Sequence, residues 1–246
     1  MQEGCSFELS GGEAHIWTLP ARAPSAVTAM LERVLAPEEI ARAQQFSFSH
    51  LRASFILVRG ALRILLGRYL HIHPNSIRFI YGSKGKPYLE PIFPFHFNMT
   101  HSGNLAAIAI TSDCPVGMDL ERIRPLSEIQ QIASHFFCAE ETAEMMSLPD
   151  EERESAFFRC WTRKEAYIKA IGEGLYTPLD SFRVTLQPNT SARLVHIEKD
   201  TSAADEWTLH DLCLASDYAA ALAYRGQPHS LSIFPIVDPG AFFGIS

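Results

Sequence analysis

The sequence predicts an α+β fold made of two similar halves, and two observations support this prediction. Each half contains a long helical stretch that leads into strands, at residues 46–69 and 151–171. Each half also contains a strand-like run of small apolar residues, at 105–110 and 218–224. This repetition indicates two α+β halves that meet near residue 113.

We therefore expect an N-terminal half over residues 1–113, a C-terminal half over residues 114–246, and a site in the cleft between them. A chain of 246 residues is long enough to bury a large core. Its net charge of -7 argues against a nucleic-acid-binding protein, because such proteins need a basic face to neutralise phosphates.

Other features of the composition indicate a cytoplasmic protein that does not enter a membrane. The first residues include an acid and lack the basic and apolar segments of a signal peptide. Apolar runs such as 105–110 are far too short to span a bilayer. The five cysteines show neither zinc nor disulfide spacing, so we expect reduced thiols.

Alternating apolar and polar residues predict the strands, and Gly and Pro mark where they end. The expected strands lie at 15–19, 76–81, 105–110, 116–121, 181–186, 192–198, 207–212 and 218–224. A helix should begin at 35–39, because Pro37 stands near its first turn and acidic residues follow. Residues 129–146 predict further helical segments, and a Pro- and Gly-rich tail follows residue 224.

Two stretches of the N-terminal half carry groups that can bind phosphate. The turn at 82–87 presents Lys84 and Lys86 among glycines, although a plain hairpin turn has the same composition. Thr100, His101 and Ser102 place two hydroxyls and an imidazole at the mouth of a strand. The alternative is a turn in which these hydroxyls bond their own backbone.

Asp119 and Glu121 are the strongest candidates for a metal site. On a strand they point to the same side, about 7 Å apart at their Cβ atoms, while Met118 and Leu120 point to the other side. Two such carboxylates can bind one Mg²⁺, which retains waters and accepts substrate phosphates as further ligands. A solvated strand face is the alternative interpretation.

A short amphipathic helix near residue 165 supplies a third acid and an amine. Glu165 and Lys169 are four residues apart and share one face, while Trp161 can turn towards a core. Gly172 and Gly174 then end the helix. An ordinary surface ion pair is the alternative interpretation of these two residues.

Taken together, four motifs resemble the signature blocks of the Sfp-type 4'-phosphopantetheinyl transferases: GKP at 85–87, FNMTHSG at 97–103, PVGMDLE at 115–121 and WTRKEAYIK at 161–169. The resemblance covers roughly residues 35–185. It implies two pseudo-symmetric halves with the active site between them. It also implies transfer of the phosphopantetheine arm of coenzyme A to a serine of a carrier protein, with release of adenosine 3',5'-bisphosphate.

The resemblance also implies roles for individual residues. Asp119, Glu121 and Glu165 would hold Mg²⁺ with the pyrophosphate of coenzyme A, Lys169 would pair with that pyrophosphate, and Glu165 would be the general base. The nucleotide end of coenzyme A, including its 3'-phosphate, would be bound by Lys86, Thr100 and His101, with weaker candidates in Lys84, Arg42 and Arg52. Glu39 stands in a region where many relatives have lysine.

The implied partner is an apo acyl or peptidyl carrier protein, and the implied state is a monomer with an internal pseudo-twofold. The carrier is expected to dock at residues 123–137, where Arg122, Arg124, Phe136 and Phe137 offer charge and apolar surface, unless both phenylalanines are core. Two rival functions remain. One is another Mg²⁺-dependent enzyme that cleaves nucleotides or pyrophosphates, and the other is a non-catalytic coenzyme A-binding protein.

Overall fold

In the described part of the chain, runs of helices and runs of strands follow one another, which confirms the α+β prediction. The computed structural model describes residues 7–90, 92–174, 177–198 and 201–244. In chain order, the elements are β1 (Glu13–Pro20), α1 (Ser25–Glu32), α2 (Pro37–Gln44), α3 (Ser49–Leu70), β2 (Phe79–Tyr81), β3 (Pro87–Leu89), β4 (His96–Ser102), β5 (Leu105–Thr111), β6 (Val116–Arg122), α4 (Ile129–Phe136), α5 (Ala139–Met146), α6 (Asp150–Ile171), β7 (Phe182–Val184), β8 (Leu194–Ile197), β9 (Trp207–Asp211), β10 (Tyr218–Arg225), β11 (Ser230–Pro235) and α7 (Pro239–Phe243).

Two main sheets share an apolar cluster at the centre of the molecule. One sheet has the strand order β11-β1-β5-β4 and the other has the order β6-β10-β9. Alanines of both sheets lie in the shared cluster, so the two sheets can approach closely there. Its members include Ala14, Ile16, Ala107 and Ala109 from the first sheet and Met118, Leu120, Ala220 and Leu222 from the second.

The outer face of each main sheet packs against one long helix. Alternate residues of β1 and β5, such as Trp17 and Ile108, share a core with Leu62 of α3. In the second half, Ala221 of β10 shares a core with Ile168 of α6. The two helices have 22 residues each, so both halves repeat one helix-on-sheet unit. Within the described ranges, no helix has the apolar length that a bilayer crossing needs.

The Pro- and Gly-rich tail contains an element that the sequence pattern did not reveal. Strand β11 pairs in parallel with β1, so that Glu13 lies opposite Ser230 and Ile16 opposite Ile233. The last strand of the chain therefore completes the sheet of the first half. A parallel pairing between strands so far apart in sequence leaves little local signal.

Three expected elements differ in their details. Residues 74–76 form a 3₁₀ turn, so the strand expected at 76–81 is shorter, and a second 3₁₀ turn at 179–181 precedes β7. Thr100 to Ser102 lie inside β4, and the chain turns only at Gly103 and Asn104. Their side chains therefore project from a strand and do not close a turn.

Gly117 allows β6 to touch the backbone of α6. A Cβ atom at this position would come within 3.0 Å of Ala166 O, Ala170 N and Lys169 C. Since all three are backbone atoms of one helix, no rotation of a side chain could relieve the clash. The absence of a side chain at Gly117 thus fixes the distance between the strand that carries Asp119 and the helix that carries Lys169.

Replacing Gly117 by alanine should therefore destabilise the fold and open the space between β6 and α6. We expect a loss of about 2–3 kcal/mol, near the upper end of typical overpacking effects, measured by urea denaturation. Gly11→Ala is the matched control, because its Cβ would meet its nearest neighbour at an ordinary 3.7 Å. Equal stability of the two variants would contradict the close approach.

Candidate active site

One open cleft of about 400 Å³ brings together residues of β4, β6 and α6. Since β4 and β6 are edge strands of the two main sheets, the cleft lies between the two halves. Its lining residues are Met99, Thr100, His101, Asp119, Glu121, Trp161, Glu165 and Lys169. Six of these were expected from the sequence as site residues; Met99 and Trp161 were not.

Asp119 is the buried centre of this cleft, with 4% of its surface exposed. Its Oδ1 atom accepts hydrogen bonds from Lys169 Nζ at 2.6 Å and from Thr100 Oγ1 at 3.3 Å. Its Oδ2 atom is buried and has no hydrogen-bond partner within the described residues. Lys169 thus pairs with an acid on the neighbouring strand, whereas its helical spacing had suggested Glu165.

The hydroxyls of β4 meet the carboxylates of β6 in register. Thr100 donates to Asp119, and two residues further along both strands Ser102 Oγ donates to Glu121 Oε2 at 2.6 Å. The period of two residues on each strand therefore places both acids and both hydroxyls on the same side. These bonds hold one oxygen of each acid and leave the other available to a ligand.

The two glutamates of the cleft bind protons more readily than ordinary carboxyls. Burial raises the pKa of Glu165, and the nearby charges of Asp119 and Glu121 raise it further. Burial also raises the pKa of Glu121, with a smaller contribution from Asp119. Three acids therefore share one amine, Lys169, and the cleft has an excess of negative charge that favours a bound cation.

The donor chemistry of the cleft fits Mg²⁺. Carboxylate and hydroxyl oxygens are the ligands that this hard ion prefers, and the unpartnered Asp119 Oδ2 offers a ready one. Among the described residues, however, the acids of the cleft do not place one oxygen each within 4.8 Å of one another. A single ion bound by all three acids requires Glu121 or Glu165 to rotate towards Asp119.

Lys86 lies outside the cleft lining and holds the two halves together. Its Nζ atom donates to Val116 O at 3.1 Å, to Ala170 O at 3.3 Å and to Lys169 O. Burial lowers the pKa of this amine to about 8. Because these carbonyls occupy all its donors, contact with a phosphate would require Lys86 to leave them.

The other basic candidates also lie outside the cleft lining. Arg42 stands over the ring of Phe55 at 5.8 Å, and Arg52 pairs with Glu32 at 3.0 Å. Lys84 is exposed on the turn between β2 and β3. Contacts of these three residues with coenzyme A stay predictions, as does that of Lys86.

Glu39 has a structural role. It is 2% exposed and accepts hydrogen bonds from Arg59 and, at 2.6 Å, from Arg63. The two arginines are also buried, with exposed fractions of 3% and 1%. This ion-paired group links α2 to α3.

Trp161 lies between the cleft and the core of the second half. As predicted, it packs against that core, where its ring stacks on Phe157 at 5.9 Å between centroids, and its side chain also lines the cleft beside Glu165. Its ring meets Phe136 at 5.4 Å between centroids, in an edge-to-face arrangement. The sequence contained a signal for this position. Residues 161, 165 and 169 are spaced at intervals of four, so they share one face of the helix.

Comparison with known proteins agrees with this geometry. The profile described as "4'-phosphopantetheinyl transferase superfamily" matches residues 115–223, and the profile described as "4'-phosphopantetheinyl transferase, N-terminal" matches residues 22–113. The 4'-phosphopantetheinyl transferase HetI of Nostoc sp. is 38% identical, over 90% of this chain and 91% of its own length. The chain belongs to the 4'-phosphopantetheinyl transferase superfamily.

Two further transferases share parts of the sequence. Sfp of Bacillus subtilis is 32% identical over 62% of this chain and 66% of its own length. The transferase gsp of Aneurinibacillus migulanus is 41% identical over 52% of this chain and 56% of its own length. The resemblance inferred from the four motifs is thereby confirmed. A solved holo-[acyl-carrier-protein] synthase from Thermotoga maritima is 18% identical and covers 46% of this chain and 63% of its own, with a TM-score of only 0.38.

In this phosphopantetheinyl transferase, two ion pairs with buried basic side chains fix the orientation of α6. Arg163 donates through Nε to Asp211 Oδ1 at 2.8 Å, and Lys164 pairs with Glu141 at 2.7 Å. Both basic side chains are completely buried. Removing one partner of such a pair leaves an uncompensated charge, so α6 cannot rotate easily. Glu165 directly follows Lys164 in this helix and consequently faces the cleft.

The raised pKa of Glu165 predicts that its charge destabilises the metal-free transferase. Since the folded chain binds this proton more tightly than the unfolded chain, stability falls as pH rises from the ordinary carboxyl pKa through the raised one. Glu165→Gln should therefore raise the melting temperature at neutral pH in EDTA by about 2 °C. Glu151→Gln, which removes an exposed charge from the first turn of α6, should not raise it. A lower melting temperature for Glu165→Gln would contradict this electrostatic account.

Proposed function

We propose that this transferase moves the 4'-phosphopantetheine group of coenzyme A to a serine of an apo acyl or peptidyl carrier protein, with Mg²⁺ as cofactor. The single observation that supports this best is the buried, unpartnered Oδ2 of Asp119 between two further acids and the amine of Lys169. The by-product would be adenosine 3',5'-bisphosphate. A cytoplasmic location and a monomeric state belong to the same proposal.

Asp119, Glu121 and Glu165 would hold the metal, and their negative charges would then be balanced. When bound, Mg²⁺ would neutralise charge on the pyrophosphate of coenzyme A and orient it. Lys169 would exchange its ion pair with Asp119 for one with a pyrophosphate oxygen. Thr100 would keep Asp119 in place through its hydroxyl group.

Glu165 would act as the general base, directly or through one water molecule. The serine hydroxyl would give its proton to a Glu165 oxygen as the new O–P bond forms. The bond between this phosphorus and the oxygen bridging to adenosine 3',5'-bisphosphate would break, and the bisphosphate would leave with the bonding electrons. Burial of Glu165 makes it a stronger base than an exposed carboxylate, although binding to a metal would offset part of this effect.

Glu165→Gln should lower the transfer rate by roughly 10²–10⁴-fold, because the base is lost while the side chain keeps its shape. The protein would be incubated with coenzyme A, Mg²⁺ and a panel of apo carriers, and mass spectrometry would quantify the phosphopantetheine adduct. Glu151→Gln provides a control on the same helix.

The wild-type result separates the rival functions. An adduct on a carrier supports the proposal. Product formed from coenzyme A without any acceptor would favour another Mg²⁺-dependent nucleotide- or pyrophosphate-cleaving enzyme. Coenzyme A binding without turnover, and independent of divalent metal, would favour a non-catalytic binding protein. Near-normal transfer by Glu165→Gln would exclude Glu165 as the base.

The surface beside the cleft offers a docking site for the carrier protein. Phe136 is 39% exposed and packs against Trp161, whereas Phe137 is 3% exposed and belongs to the core. The guanidinium of Arg124 lies 5.6 Å from the centre of the Phe158 ring, and Arg122 pairs with Asp217 at 3.0 Å. We define Arg122, Arg124 and Phe136 as the docking patch, which suits an acidic carrier.

Changing this patch should weaken recognition of the carrier without affecting coenzyme A. Phe136→Ala, and charge reversal at Arg122 and Arg124, should each raise the KM for the carrier about tenfold, or roughly 1.4 kcal/mol. The KM for coenzyme A and kcat should stay constant in steady-state kinetics. Arg33→Glu, an exposed charge reversal in the other half, is the control. An unchanged KM for the carrier in all patch variants would exclude this surface.

A further inference from the structure

A second cluster of metal-binding side chains lies away from the cleft. Asp113, Cys114 and His229 each offer a ligand atom, and these atoms all lie within 4.8 Å of one another. In the described part of the chain, no other three His, Cys, Asp or Glu side chains meet this distance. Asp113 and Cys114 stand in the loop between β5 and β6, and His229 stands just before β11.

The imidazole of His229 is built into this cluster. Its side chain is 6% exposed, and its Nε2 atom lies 3.3 Å from Asp113 Oδ2. Its Nδ1 atom is buried and has no hydrogen-bond partner within the described residues. A buried nitrogen without a partner is costly, and either ring nitrogen of a neutral histidine can bind a metal ion.

Neighbouring groups hold the ring and the carboxylate in place. Tyr224 stacks on His229 with ring centroids 4.2 Å apart, and its hydroxyl accepts a hydrogen bond from the backbone N–H of His229 at 2.7 Å. His210 Nε2 lies 2.7 Å from the same hydroxyl. On the other side, Asp113 Oδ2 accepts from the backbone N–H of Gly12 at 2.8 Å. Two of the three ligands are thus oriented by partners outside the cluster, as in established metal sites.

From this geometry we propose that Asp113, Cys114 and His229 bind a transition-metal ion of the Zn²⁺ class, with water as the fourth ligand. A sulfur, a nitrogen and an oxygen form a donor set that suits Zn²⁺ and not Mg²⁺. Ligand atoms of a tetrahedral zinc site lie about 3.3–3.7 Å apart, so the cluster needs to contract by only about 1 Å. The all-oxygen acids of the cleft and this mixed cluster would therefore select different metals.

Binding requires the thiol of Cys114 to release its proton to solvent. Burial and the charge of Asp113 raise the pKa of Cys114 to about 12, so the metal-free thiol is protonated at neutral pH. A bound cation reverses this preference and keeps the sulfur as a thiolate.

The position of the cluster indicates a structural role. His229 precedes the strand that completes the first sheet, and Asp113 holds the backbone just before β1. A metal ion would fasten the β10–β11 connection to the loop that joins the two halves. Because the unfolded chain lacks this arrangement, binding would stabilise the fold.

Cobalt(II) is a direct probe, because a cobalt–thiolate bond gives a charge-transfer absorption in the near ultraviolet. The full-length protein, stripped with EDTA, should bind one Co²⁺ with this absorption. Cys114→Ser should abolish the absorption, and His229→Gln should weaken binding by at least the roughly 10–100-fold that loss of an outer partner causes. Cys213→Ser, at an exposed thiol, is the matched control and should retain the absorption.

The cleft lining contains no cysteine, so the absorption cannot come from a metal ion bound there. Asp119→Asn should keep it, and failure of the proposed function would therefore leave this test unaffected. Added Zn²⁺ should raise the melting temperature of the wild type by several degrees and leave that of Cys114→Ser unchanged. The proposal is overturned if no thiolate absorption forms, if it survives Cys114→Ser, or if Zn²⁺ stabilises both proteins equally.

Discussion

The contact between Gly117 of β6 and the backbone of α6 is the constraint on which the site depends. Asp119 lies two residues beyond Gly117 on the strand, and Lys169 belongs to the stretch of helix that a Cβ at residue 117 would strike. Any larger residue would move the helix away, and the 2.6 Å bond between Lys169 and Asp119 would be lost. A glycine without a side chain thus sets the distance between two groups of the candidate site.

The excess of acidic groups makes the site electrostatically unfavourable, and the scaffold around it compensates. Glu121 and Glu165 have raised pKa values because they are partly buried beside Asp119, and one lysine cannot neutralise three acids. The pairs of Arg163 with Asp211 and of Lys164 with Glu141 hold α6 against this repulsion. Strain of this kind at a functional site is typical where a ligand later relieves it.

Local patterns in the sequence were enough to predict much of the fold and most of the cleft. Asp119 and Glu121 share a face because a strand repeats every two residues, and Glu165 and Lys169 share one because a helix repeats every 3.6. Both relations are local, so they do not depend on how the strand and the helix pack in the fold. The four motifs then led to the superfamily that the comparisons support.

The relations between distant elements could not be predicted in the same way. The pairing of β11 with β1, the choice of Asp119 as the partner of Lys169, and the bonds from Lys86 to the carbonyls of α6 all join residues far apart in sequence. The burial of Glu39 between two arginines is of the same kind. Such contacts depend on tertiary packing, which propensity and spacing do not specify.

The most direct test of the central claim is a crystal structure of the protein with Mg²⁺ and coenzyme A. The account predicts one ion with an oxygen of Asp119, Glu121 and Glu165 each at about 2.0–2.1 Å. It also predicts that Lys169 moves from Asp119 to the pyrophosphate. An ion bound elsewhere, or three acids whose oxygens remain too far apart to share an ion in the presence of both ligands, would contradict it.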